Sequence, residues 1–207
     1  MLVEMQDKNA DIESMVGKAL ENKDTYKELL EGLKVKNETY RYNCHKVLYA
    51  ISEKRGETLY PYWNLFVESL GSENSYHKMT AVHLIANLTS VDKENRFEKI
   101  FDKYYSLLDD KSMVVAYYVA NVSGKIIKNK PALKKDITDK LLSIDKTQHK
   151  TSRKELIKTG VIEAFSEYFS DYDNKASIIN FVKQQVNSES NKTKKTAKSF
   201  LAKWDKS

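Results

Sequence analysis

The chain has 207 residues, 41% of them hydrophobic and 31% charged, with a net charge of +6, only 6 Gly, 2 Pro and a single cysteine. So few turn formers exclude a many-stranded β fold, which needs a turn about every ten residues, and the lean apolar content suits thin helical layers better than one thick core. One cysteine excludes an intrachain disulfide and any multi-cysteine metal site.

At the N-terminus, Glu4 and Asp7 interrupt the one short apolar stretch, so no signal peptide is expected. No run approaches the roughly 18 apolar residues of a membrane span, and the expected location is the cytoplasm. Residues 1–23 read as an N-terminal capping helix built around Ile12, Met15, Val16 and Leu20. Residues 24–204 then read as about five helix pairs within a single domain, 1–207.

The first pair joins an apolar-periodic segment at 26–33, through the polar turn 36–38, to a stripe of Cys44, Val47, Leu48 and Ile51. The second joins 62–70, behind Pro61, through 71–74 to Ala81, Leu84, Ile85 and Leu88. The third joins 97–108 through 109–111 to Val115, Tyr118, Val119 and Val122. The fourth joins 133–142, behind Pro131, through 145–147 to Ile157, Gly160, Val161 and Ala164. The fifth joins 178–186 through 187–190 to Ala197, Phe200, Leu201 and Trp204.

Each stripe falls at offsets 3, 6, 7 and 10 from a start at Arg41, Lys78, Ser112, Lys154 or Lys194, and the starts lie 37, 34, 42 and 40 residues apart. These offsets return to one face of a 3.6-residue helix, and the spacing is that of a helix-turn-helix repeat. Asn, Ser and Asp in the turns are placed to cap the following helix, and a proline at a first helical turn gives up an amide with no partner there. The run 113–122 is β-branched enough to suit a buried strand. Its parallel with the preceding repeat, Ala86-Asn87-Leu88-Thr89 against Ala120-Asn121-Val122-Ser123, favours a helix.

Charge is uneven. Residues 1–145 hold 22 Lys and Arg against 22 Asp and Glu, whereas 146–207 hold 13 against 7. The excess gathers at Lys192, Lys194, Lys195 and Lys198, with Arg153 and Lys154 on the preceding second helix. Such a cluster is either a solvated terminal face or a surface for an acidic partner.

Arg41 with Cys44, Lys78 with Ala81 and Lys194 with Ala197 set a basic residue ahead of small and aliphatic positions. In this the chain resembles the HEAT/armadillo superfamily of α-solenoids. The resemblance implies an all-α, right-handed superhelical stack of antiparallel helix pairs, with the second helices lining a concave face and the basic residues laddered to turn residues. Ser112 interrupts that ladder at the third repeat. Lys78, Asn87, Tyr117 and Asn121 are then candidates for a concave groove, although each Asn is equally suited to burial between helices.

HEAT-like folds serve as scaffolds and adaptors and, in one branch, as DNA glycosylases. That activity needs a groove acid beside aromatics. Residues 75–90 and 112–128 carry no Asp or Glu, which leaves Glu155 or Glu163 as the acid. There is no HExxH, GxSxG, Walker-type or GxGxxG motif, and no metal or other cofactor is expected. Asp109-Asp110 reads as a helix-capping pair.

The expected function is a non-enzymatic interaction module for a protein or acidic peptide, with nucleic acid as a further acidic ligand. A glycosylase-type enzyme is the alternative, and a homo-oligomer subunit a third possibility.

Overall fold

Periodicity and caps act together in the computed structural model, which describes residues 3–205 apart from the side chain of Lys23. Met1 and Leu2, assigned above to the N-terminal cap, lie outside the described residues, as do Lys206 and Ser207. All regular elements among the described residues are helical. They form two units, Met1–Asp92 and Lys93–Ser207.

In the first unit a 3₁₀ turn (Val3–Gln6) precedes α1 (Ile12–Glu21), α2 (Lys23–Gly32), α3 (Glu38–Lys54), the short α4 (Gly56–Leu59), α5 (Trp63–Ser69) and α6 (Ser75–Leu88). Polar side chains start α1, α2, α3 and α6 by accepting from free amides. Asp11 accepts from Ser14 N at 3.0 Å, Asn22 from Asp24 N at 2.9 Å, Asn37 from Tyr40 N at 2.9 Å and Asn74 from Tyr76 N at 2.9 Å. Pro61 occupies a 3₁₀ turn (Tyr60–Tyr62) that leads into α5. Packing of α1 against α2 and α3 buries Met15, Val16 and Ala19. The core of this unit collects Leu29, Trp63 and Phe66 with the stripes of α3 and α6. The Asn43 amide donates to Met5 O at 3.0 Å and Asp7 O at 2.7 Å, fastening the N-terminal turn to α3.

The second unit comprises α7 (Arg96–Ser106), α8 (Met113–Asn121), α9 (Ser123–Asn129), α10 (Lys134–Leu142), α11 (Thr151–Tyr168), α12 (Lys175–Gln184) and α13 (Asn191–Trp204). The β-branched run is helical because its burial follows a helical period. Val115, Ala116, Val119 and Ala120 are buried while Val114, Tyr117, Tyr118 and Asn121 are not. At the junction of α8 with α9, Val122 N still donates to Tyr118 O at 3.0 Å. Pro131 again sits in a 3₁₀ turn (Pro131–Leu133), ahead of α10. Of the acidic pair, Asp110 accepts from Ser112 N at 2.8 Å just before α8. Asp109 reaches further, to Gln148 N at 2.7 Å in the following turn.

Of the twenty stripe positions in the five second helices, all but Tyr118, Val122, Leu201 and Trp204 are buried. The one glycine among them has a steric reason. α11 packs along α8, α9 and α13, and a β carbon at Gly160 would lie 2.8 Å from Tyr117 O and 3.2 Å from Asn121 N. Those atoms are backbone, so a side chain there moves a whole helix.

Gly160→Ala is therefore expected to lower stability by about 1–3 kcal/mol through overpacking, although alanine in an unhindered helix would add about 0.5–1 kcal/mol. Urea denaturation checks the sign: an unchanged or raised midpoint would show that the two backbones are not in tight contact.

Candidate functional site

Gly160 brings its neighbours on α11 against α8. Leu156 lies four residues before it and Glu163 three after, so both share its face of the helix. Together with α8 and the start of α13 they shape a surface hollow of about 250 Å³, lined by Met113, Val114, Tyr117, Tyr118, Leu156 and Lys192. Val114 is 47% and Leu156 39% exposed, two of the five large hydrophobic residues that are exposed among those described. They hold the same place in successive repeats, two residues after Ser112 and two after Lys154.

One wall of the hollow is polar. The Tyr117 hydroxyl donates to Glu163 Oε2 at 2.8 Å, and the Asn121 amide donates to the same oxygen at 2.9 Å. Lys192 Nζ lies 4.9 Å from the Tyr117 ring centroid, donates to its hydroxyl at 3.2 Å and stands 4.0 Å from Glu163 Oε1. Burial, and then the bond to Glu163 and its charge, hold the Tyr117 pKa above the ordinary tyrosine value. Tyr117 is thus a neutral donor, fixed by an acceptor beneath it and a cation above it.

The sequence-derived site residues are distributed as follows. Tyr117 and Asn121 come together at Glu163. Arg153 is exposed on the first turn of α11, three residues before Leu156. Lys154 Nζ donates to Asp145 O at 2.8 Å, and in the first unit Arg41 Nη1 donates to Val35 O at 3.0 Å, so each ties its helix to the turn before it. On α13, at about 100° per residue, Lys195 lies about 60° round the axis from Lys192. Lys194 and Lys198 lie about 160° and 120° from Lys192 and share another flank. Lys78 and Asn87 belong to the first unit and are buried there, the Asn87 amide donating to Ser52 Oγ at 2.8 Å.

Sequence reasoning had no ground for singling out Val114 or Leu156. It did carry a signal for Glu163, which occupies in the fourth repeat the position Asn121 holds in the third. The other acid, Glu155, is buried in a brace: Lys158 Nζ lies 3.0 Å from Glu155 Oε1 and 2.9 Å from Asp145 Oδ1, and Ser188 donates to Glu155 Oε2. Burial works against the Lys158 charge, yet the hydrogen bonds to Asp145 and Glu155 outweigh it and raise its pKa.

Elsewhere, burial pushes the Cys44 thiol up to about 12, so it is no nucleophile at neutral pH. His45 packs against Tyr49, Tyr76 and His83, at ring separations of 5.6–6.1 Å, and burial brings its pKa down to about 4. Among the described residues no group of three or more His, Cys, Asp or Glu is placed to hold a metal ion. No described helix is long and apolar enough to cross a membrane.

No protein-family model matches the chain, and no curated protein matches its sequence. Among solved structures, the crystal structure of an engineered protein, a structural-genomics target, is similar at a TM-score of 0.46 and 14% identity, over 95% of this chain and 90% of that one. A likeness that loose carries no conclusion about fold or function.

Two outcomes are expected from this geometry. Folded His45 binds its proton only near pH 4, whereas the unfolded chain binds it near 6.5. The unfolded state therefore holds more protons between those values, and stability falls as pH drops through that window, by about 3 kcal/mol for this group. Chemical denaturation across pH 4–6.5 should show the slope, and His45→Leu should flatten it; an equal slope in both proteins would assign it elsewhere. Glu163→Ala leaves the Tyr117 hydroxyl and the Asn121 amide without their acceptor, at an expected cost of about 1–2 kcal/mol by the same measurement.

Proposed function

We propose that this chain is a non-enzymatic interaction module, a right-handed solenoid of about five HEAT/armadillo-like helix pairs. Its second-helix face in residues 93–207 and its basic C-terminal end hold an acidic peptide or acidic protein surface. The observation that carries this reading is the hollow itself. Two exposed aliphatic side chains, Val114 and Leu156, sit beside a fixed lysine and tyrosine. Two neighbouring exposed aliphatic side chains beside polar groups offer a small site where a partner's side chain can be buried, and tyrosine suits such a site because its ring packs while its hydroxyl hydrogen-bonds. The links of Arg41 and Lys154 to preceding turns, and of Asp109 to the following one, support the solenoid reading.

The enzymatic alternative has one observation in its favour, the carboxylate of Glu163 beside the ring of Tyr117. Against it, Oε2 already accepts two hydrogen bonds and Lys192 stands next to Oε1. A carboxylate so engaged has less capacity left to stabilise a cationic sugar.

Binding of a labelled polyglutamate peptide and a labelled DNA duplex, followed by fluorescence anisotropy at low and moderate salt, tests both readings. Lys192→Glu with Lys195→Glu is expected to weaken peptide binding about fivefold or more at low salt, with the effect shrinking as salt rises. Unchanged affinity would remove the acidic-partner reading. Release of an alkylated base from DNA that disappears in Glu163→Gln would establish the enzyme instead.

A further inference from the structure

The proposed module needs a ligand of definite chemistry, and the hollow between α8, α11 and α13 restricts it. Resting on the reading above, we propose that this hollow seats one aliphatic side chain of an acidic peptide, of the size of leucine, isoleucine or methionine, while a carboxylate beside that anchor meets Lys192.

Size is the first reason. A dry cavity of about 150 Å³ holds a benzene ring, so an open hollow of about 250 Å³ takes a branched aliphatic side chain with part of its backbone. The apolar contacts available are Met113, Val114 and Leu156, with Tyr118 completing the lining. Charge is the second reason. Lys192 and, about 60° round α13, Lys195 are exposed, as is Arg153 on the α11 turn before Leu156. An acidic peptide complements these cations.

Each rival occupant fits less well. Nucleic acid satisfies the cations but has no aliphatic side chain to bury. A second copy meeting this hollow with its own equivalent face would set its Arg153, Lys192 and Lys195 against the same three exposed cations, which disfavours a symmetric pairing.

The clamp supplies specificity. The Tyr117 hydroxyl and Glu163 draw Lys192 to the rim of the hollow, which favours a ligand carboxylate at that distance from the anchor. Glu163 and Asn121 are positioning residues here, acting on the ligand through Tyr117 and Lys192.

Three labelled peptides test this on the full chain: an acidic peptide with one central leucine, the same peptide with serine at the centre, and the leucine peptide with its glutamates changed to glutamine. The leucine peptide is expected to bind about tenfold more tightly than the serine one, the gain from burying most of one aliphatic side chain. The glutamine peptide should lose most of its affinity and its salt dependence. In Leu156→Asp, and more mildly in Leu156→Ala, the preference for leucine should vanish. Both substitutions are at a solvent-exposed position, and circular dichroism checks that the fold persists.

Equal, salt-sensitive binding of the leucine and serine peptides would overturn the anchor while leaving the acidic-partner module standing. Binding of neither acidic peptide would overturn both. A duplex that binds where the acidic peptides do not would replace the peptide with nucleic acid.

Discussion

At Gly160 the backbones of α11 and α8 meet with no side chain between them, and the features of the hollow follow from that contact. It sets Leu156 beside Val114, so that two aliphatic side chains lie exposed together instead of separately. One turn further on it sets Glu163 within reach of both Tyr117 and Asn121. A larger residue at this one stripe position would part the helices and open the polar clamp, because hydrogen bonds of 2.8 and 2.9 Å do not survive a shift of even an ångström.

Polar groups buried along α11 hold it to its other neighbour. The Thr159 and Thr193 hydroxyls meet at 2.8 Å, and Glu155 joins Lys158, Asp145 and Ser188. Such groups add little net stability when satisfied, but leaving one partner unsatisfied is costly. They therefore act mainly on register: α13 fits α11 at one height, and that height decides that Lys192 arrives over Tyr117. Two cations that look free in the sequence are engaged within the fold, Lys154 on a turn carbonyl and Lys158 on two carboxylates. The basic character of residues 146–207 is for that reason partly internal, and the exposed remainder is divided between flanks of α13.

The two repeats most alike in sequence show how burial alters the use of one side chain. Asn87 and Asn121 hold equivalent positions, yet Asn87 is buried and donates to Ser52 while Asn121 is half-buried and donates to Glu163. In the first unit, rings from α3 and α6 pack together, His45 and Tyr49 with Tyr76 and His83, and Arg41 stacks 4.6 Å from the Tyr76 ring centroid.

By itself the sequence determined which residues are helical and which face of each helix is buried. The stripes were legible at all but four positions, as were the Asn37, Asn74 and Ser190 caps, the two proline turns and the helical state of 113–122. The acidic turns at 109–111 and 145–147, by contrast, cap nothing, because α8 and α11 begin without a side-chain cap. Burial depends on apolar area and is indifferent to direction, so a period of 3.6 residues is enough to reveal it. Only the tertiary structure decided the clamp. Tyr117 and Glu163 are 46 residues apart, and Tyr117 and Lys192 are 75 apart. Hydrogen bonds are directional and short, so whether such groups meet is set by how closely two helices approach and at what height. Those quantities emerge from the packing of many side chains at once and leave no periodic trace in the chain.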